Sequence, residues 1–411
     1  MNFKENALPG CFARVNRAAK RKNMSTNRIY LDWNATAPLL PEVREAVLDG
    51  LDLCGNASSV HREGRTVRAR VEAARRQVAA LVGADPAHVT FLAGATEAAN
   101  LVLTPDFRMG RRAVTLGGLY VSGIEHPAVF EGGRFAAEQR HEIPVLPTGV
   151  VNLDALDAML SAHDKSLGLP MAAVMLVNNE TGMIQPVEAA AKIVHQHGGL
   201  LVVDAVQAAG RIPVSIEALD ADFLILSSHK LGGPKGVGAL VSRGETLMPA
   251  PLVRGGGQEK GHHSGTENVP GILGFAAAAA YAAQDIEARN QRIAALRDRL
   301  EDGMRAAAGD VEIYGADLPR VANTAFFTLP GLKAETGQIA FDLEGIALSA
   351  GSACSSGKVG ESQVLKAMGR DPRLGGLRIS LGWATTDQDI DAAIAAFGKI
   401  AARRRAAGQA A

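Results

Sequence analysis

Cysteine is scarce in this chain: Cys11, Cys54 and Cys354 are the whole supply. Three thiols cannot build a disulfide framework and one must stay unpaired, which suits a reducing compartment, and a cytoplasmic location is expected. Net charge is also absent, with 43 Lys plus Arg against 43 Asp plus Glu. That balance speaks against a polyanion-binding surface spread over the molecule, so nucleic acid is a poor first guess for a partner, although a local basic patch stays open. Long apolar runs are missing too. Phe275 to Ala283 is too short to cross a bilayer and is followed by Asp285, Glu287 and Arg289, so no membrane partner is expected. No Cys/His spacing supports a metal site, despite His61, His262 and His263. Aromatics are sparse at 4%, but 411 residues with 47% hydrophobic content suffice for two domains with separate cores.

The first 23 residues carry Lys4, Arg14, Arg17, Lys20, Arg21 and Lys22 against one acid, Glu5, and lack the apolar stretch of a secretory signal. Residues 1–23 read as a disordered extension, or as sequence ahead of a true start at Met24. An organelle presequence is the rival reading.

From Pro41 to Arg243 helical patterns alternate with short apolar runs. Thr66 to Val82 has the spacing of an amphipathic helix, with Val67, Val71, Val78 and Leu81/Val82 on its apolar side. The runs Val89–Leu92, Ala172–Val177, Leu200–Val203 and Phe223–Leu226 are rich in β-branched residues and do not alternate, as strands buried on both faces do. Val187 to His197 is a predicted helix closed by Gly198-Gly199. The pattern predicts an α/β domain with a mostly parallel sheet over 41–288. Pro270 to about Ala308 predicts one or two long helices. Thr324–Leu329, Leu377–Leu381 and a final helix from Asp387 suit a smaller α+β domain, built from 24–40 and 289–411. In parallel sheets ligands bind beyond the carboxyl ends of the strands, so chemistry is sought there.

Polar residues follow each run. Gly94-Ala95-Thr96-Glu97 opens a helix whose N-terminal N–H groups and Thr96 hydroxyl can hold a phosphate, or Thr96 is a plain cap. Asn178-Asn179-Glu180-Thr181-Gly182 taken alone is a turn. Asp204 at a buried strand end needs a cationic partner, for which a protonated pyridine nitrogen qualifies, and Gln207 lies one helical turn on. Ser227-Ser228-His229-Lys230 suits phosphate binding plus a Schiff-base lysine. The stretch after Lys230 is not a nucleotide P-loop, because Pro234 stands where the motif ending would be.

With these motifs in this order, the sequence resembles the cysteine desulfurase family, the class-V-aminotransferase branch of fold-type-I pyridoxal-phosphate (PLP) enzymes. The resemblance runs from Tyr30–Pro38 through Gly55–His61, Glu125-His126, Val177–Gly182, Val203–Gln207, Ser228–Lys230, Ser264–Thr266 and Gly351–Gly357 to Arg378–Gly382. It implies PLP on Lys230, with Asp204 on the ring nitrogen, Gln207 on the ring oxygen and Asn179 beside cofactor and substrate. Ala95, Thr96, Ser227, Ser228 and His229 would hold the phosphate region, with Thr266 reaching it from the other subunit of a homodimer. His126 would stack on the ring and is the candidate base for the substrate thiol. Arg378 would pair with the carboxylate of L-cysteine, and Cys354 would accept its sulfur as a thiolate. The products would be L-alanine and a persulfide passed to an acceptor protein, for iron–sulfur cluster supply or thiolation. A selenocysteine lyase, another class-V aminotransferase and a non-catalytic sulfur relay are the rivals; Lys230, Asp204 and Cys354 together favour the desulfurase. The sequence departs from the family pattern at His263, where Arg usually precedes Ser-Gly-Thr, and at Trp33 and Ala57.

Overall fold

A computed structural model describes residues 28–351, 361–372 and 375–409 of the chain. Cys354, Cys11 and the basic leader lie outside the described residues. Strand β1 (Ile29–Tyr30) comes first, followed by β2 (Val89–Leu92), β3 (Asp106–Met109), β4 (Arg112–Ser122) and β5 (Arg140–Ile143). Then come β6 (Leu169–Ala173), β7 (Leu200–Asp204), β8 (Phe223–Ser227), β9 (Gly238–Ser242) and β10 (Met248–Pro249). These nine strands after β1 form one sheet in the order β10-β3-β4-β6-β7-β8-β9-β2, with β5 also paired to β4. Its centre, β4-β6-β7-β8, is parallel as expected, and β5 joins β4 in parallel. Antiparallel pairs flank it on both sides.

The unbroken apolar runs are explained by two covered faces. Leu201, Val203, Leu224 and Leu226 enter one core with Val67, Val71 and Val78 of the helix Arg62–Leu81 and Phe275 of the helix Val269–Ala282. Their neighbours Val202, Phe223 and Ile225 enter another with Leu101 and Val102 of the helix Ala95–Val102. The helix expected from Thr66 starts at Arg62, where the His61 side chain accepts from Gly64 N. That first turn is polar, so apolar spacing could not mark it. The run Ala172–Val177 does not stay a strand: β6 ends at Ala173, although Val174 and Leu176 still donate to Val202 O and Asp204 O. The segment after Val269 is two helices, Val269–Ala282 and Ile286–Ala307, meeting at 77°. Among the described residues no single helix is long and apolar enough to cross a membrane.

A second, antiparallel sheet has the order β11 (Glu312–Tyr314), β12 (Thr324–Thr328), β15 (Leu377–Ser380), β14 (Ser349–Ala350). Strand β13 (Ile346–Ala347) pairs instead with β1. Leu31, Leu300, Phe327, Phe341, Ile379 and Phe397 share its core, so the segment at the start of the described chain is built into the later half.

The two sheets meet where Val321 N donates to Gly182 O and Ile184 N to Pro319 O. Gly182 has a φ of +74°, and a Cβ there would lie 2.8 Å from Thr324 Cβ, so only glycine fits. Arg320 in this loop forks onto Glu301 at 2.5 and 2.8 Å, with the two side chains 6% and 2% exposed. Removing one partner strands a buried charge. Glu301→Ala is expected to cost about 3–5 kcal/mol. A loss below about 1 kcal/mol on urea unfolding would show that this pair does not hold the loop.

Candidate active site

At the carboxyl ends of β7 and β8 lies a cavity of about 960 Å3. Its wall includes Ala95, Thr96, His126, Asn179, Asp204, Gln207, Ser227, His229 and Lys230, brought together from across the larger sheet. Lys230 ends a short turn after β8, and its Nζ donates to Asn34 O at 2.7 Å and Ala35 O at 2.8 Å. Asp204 ends β7, where its Oδ1 accepts from Val206 N at 2.9 Å. Burial pushes its carboxyl up to about 6, with the Val206 N–H and the Lys230 charge pulling the other way. Behind it sits Glu125, whose Oε1 accepts from Met175 N at 2.5 Å while Oε2 has no partner among the described residues. Burial, then the nearby Asp204, hold Glu125 well above the usual carboxylate range, which disfavours its charged form. Of these two neighbouring acids, Asp204 is the one on the cavity wall, where a cation can meet it.

Both cavity histidines are neutral. Burial, then Lys230, push His126 down to about 4, and the same causes with Lys235 bring His229 to about 4. His126 Nδ1 accepts from Ala128 N at 3.1 Å, which leaves the ring proton on Nε2. That tautomer suits a ring lying on a flat ligand and does not suit the expected role as base for a thiol. His229 Nδ1 pairs with Thr36 Oγ1 at 3.2 Å.

On the phosphate side the helix Ala95–Val102 opens on the cavity directly after Gly94. Glu97 ties that end down: Oε2 accepts from Ala93 N at 2.6 Å and Oε1 pairs with His263 Nε2 at 2.9 Å. His263, the departure from the family pattern, thus serves the first turn of this helix. Ser227 and His229 face the cavity, but Ser228 does not: it is fully buried, its Oγ has no partner, and a Cβ on Gly233 would lie 2.0 Å from that oxygen. Ser228 is therefore withdrawn from the cofactor set. Successive residues leaving a strand point to opposite sides, and Ser227 takes the cavity side. Thr266 is exposed and off this cavity.

Arg378 is also absent from the wall. It is 1% exposed, donating from Nη2 to Asp32 Oδ1 at 2.8 Å and from Nη1 to Asn179 O at 2.7 Å, while Nε has no partner among the described residues. It stands one residue behind the cavity, through Asn179.

The class-V aminotransferase model matches residues 29–393. The chain belongs to that family. It is 39% identical to a cysteine desulfurase of Gluconacetobacter diazotrophicus over 92% of this chain and 94% of that one. It is 38% identical to an IscS-like cysteine desulfurase of Mycobacterium tuberculosis, over 92% and 98%. Among solved structures, a NifS-like protein of Rickettsia africae aligns with a TM-score of 0.81 and 33% identity, over 91% of this chain and 99% of that one. These relatives put it in the cysteine desulfurase branch of the class-V aminotransferases, enzymes that work with PLP.

The residues present fit that cofactor. A lone buried carboxylate, an amine within the same cavity, an open helix end with Ser227 and His229, and the flat His126 ring answer its cation, aldehyde, phosphate and face. Sequence reasoning missed the supports behind them. Asn34, buried, accepts from Asn323 Nδ2 and donates to Thr324 Oγ1, which fixes the carbonyl that Lys230 uses. Glu180 accepts from Ser362 Oγ at 2.7 Å, and a Cβ on Gly351 would lie 2.4 Å from its Oε2. Glu180 is thus built against Gly351 and Ser362, on either side of 352–360. Its place in the Asn-Asn-Glu-Thr-Gly turn was the available signal.

Asp204 generates a pH prediction. Its carboxyl, raised to about 6, is ionised above that pH and takes a proton below it. PLP affinity of the apo protein should therefore fall below pH 6, approaching tenfold per pH unit, and Asp204→Asn should lose that component. Absorbance titrations of both proteins from pH 5 to 8 test this; parallel affinity profiles would contradict it.

Proposed function

We propose that this chain removes sulfur from L-cysteine with PLP bound in the cavity, releasing L-alanine and carrying the sulfur on Cys354. The observation that carries the reading is the opposed pair at the strand ends, Lys230 Nζ and the buried Asp204 carboxylate, on the wall of one cavity. When bound, the cofactor withdraws electrons from the substrate Cα and makes its proton removable. Asp204 supplies the negative charge opposite the ring nitrogen. Lys230 holds the cofactor and, once released, takes the Cα proton and later returns one. Arg378 Nε, buried and unpartnered, supports a role in meeting the substrate carboxylate, with Asn179 next to it. Cys354, as a thiolate, attacks the substrate sulfur: an S–S bond forms, the C–S bond breaks, and a persulfide remains on the enzyme.

The surroundings follow the same reading. We assign residues 41–288 to the cofactor-binding domain and 24–40 with 289–411 to the smaller one, working in the cytoplasm. An acceptor protein takes the persulfide sulfur, for iron–sulfur cluster assembly or thiolation. The exposed Thr266, off its own cavity, supports a homodimer in which it completes the partner's phosphate site. Light scattering should then give a dimer, and a fully active monomer at working concentration would contradict this.

The two halves of the chemistry separate by mutation. Lys230→Ala should lose the visible absorbance of the loaded enzyme and its turnover. Cys354→Ala should bind PLP and change its spectrum on adding L-cysteine, yet release less than about 1% of the wild-type alanine. Mass spectrometry of wild type after cysteine treatment should find the added sulfur on the Cys354 peptide. Sulfur on Cys54 or Cys11, or undiminished alanine from Cys354→Ala, would assign the wrong nucleophile.

A further inference from the structure

Gln207 has a side-chain amide whose two ends look alike in shape and opposite in chemistry. One end accepts hydrogen bonds and the other donates them, so its effect on a ligand depends on which end is presented. Here the choice is made from both sides. Arg211, four residues on, points Nη1 at Gln207 Oε1 and also donates to Gln207 O at 3.0 Å. A guanidinium can only donate, so it takes the amide oxygen. Gln207 Nε2 donates to Asn34 O at 3.1 Å, and a backbone carbonyl can only accept, so it takes the amide nitrogen. With the oxygen committed to Arg211, the hydrogen remaining on Nε2 is the polar group Gln207 has to offer the cavity that it lines.

We propose that Arg211 is a positioning residue for PLP: it fixes the amide of Gln207 so that an N–H, and not a carbonyl, meets the ring oxygen. This rests on the cofactor pose proposed above. Arg211 is itself off the wall of the large cavity and lines a small one of about 50 Å3 on the other side of Lys230. It acts through Gln207. Asn290 Nδ2 donates to the Arg211 backbone oxygen at 2.5 Å, which holds this stretch of chain in place. Removal from solvent, then the Arg378 charge, pull the guanidinium down to about 9, so it remains a cation at neutral pH.

The consequence is electronic. An N–H on the ring oxygen stabilises negative charge there and so lowers the pH at which the lysine–cofactor linkage gives up its proton. The other charged or titratable groups facing this linkage are Asp204, Glu97, His126, His229 and Lys235 on the cavity wall, with Glu125 and Arg378 behind it. All of them are left intact by substitutions at 207 and 211, so they form a constant background.

The test is the pH midpoint of the visible absorbance of the loaded protein without substrate, read in wild type, Q207A, R211M, R211K and the Q207A/R211M double variant. Q207A and R211M should each move the midpoint up by about one pH unit, the size of one hydrogen bond to a charged group. R211K keeps a donor for Oε1 and should stay within about 0.3 unit of wild type. The double variant should match Q207A alone, because Arg211 has nothing left to orient. Shifts that add in the double variant, or an R211M midpoint equal to wild type while Q207A moves, would overturn the proposal. If Q207A itself leaves the midpoint in place, the underlying pose of Gln207 is wrong instead. Should R211M not fold, R211K decides: a midpoint displaced as far as in Q207A overturns the proposal, and one near wild type upholds it.

Discussion

A guanidinium with almost no exposure must be met by acceptors, and those meeting Arg378 tie together three distant parts of the chain. Its own strand β15 belongs to the smaller sheet, Asp32 lies beside β1, and Asn179 lies in the turn beyond β6 of the larger sheet. Asp32 is in turn held by Ser349 Oγ at 2.8 Å, at the start of β14 and just before 352–360. Leaving Arg378 half-paired would cost several kcal/mol, so these segments cannot drift apart independently. The same contacts hold Asn179 on the cavity wall and tie it to Ser349 through Asp32. One buried cation thus fixes the larger sheet, β1 and the smaller sheet against one another at the edge of the cavity.

The charge inside the cavity follows a related logic. Two acids sit close together in low-polarity surroundings, and only one of them can ionise cheaply. Asp204 has the Val206 N–H and the Lys230 charge on its side; Glu125 has one backbone N–H and a like charge next to it. Charge is therefore disfavoured more strongly on Glu125 than on Asp204. The two histidines, pushed down by burial and by Lys230, add no competing cation at neutral pH. What remains for a ligand is the Asp204 carboxylate, the Lys230 and Lys235 amines and a helix end with Glu97 held over it.

Much of this was legible in the sequence, and the limits have physical causes. Non-alternating apolar runs located β2, β7 and β8 because both faces of those strands are covered. The residues at their ends, Thr96, Asp204, Ser227 and Lys230, then had to point where ligands bind in such sheets. Ser228 was misjudged because a residue's place in a motif does not say to which side it turns after the strand ends. Arg378 with Asp32 spans 346 positions and Asn34 with Thr324 spans 290. No local pattern carries pairings of that range. Cys354 rests on the motif around it, since it lies outside the described residues.

His263 shows how a departure from a family pattern can be absorbed. An imidazole offers one N–H toward Glu97 where a guanidinium would offer a fork. Glu97 does not depend on it alone, since Ala93 N fills its second oxygen at 2.6 Å, locking the carboxylate over the first turn of the helix Ala95–Val102. A negative charge there favours the helix end by complementing its dipole, yet it would also oppose an incoming phosphate. Pairing with His263 at 2.9 Å draws the carboxylate toward the 262–266 segment, and the helix end can then do both jobs. His263 engages Glu97 from the side of the 262–266 segment and leaves the helix terminus open to the cavity.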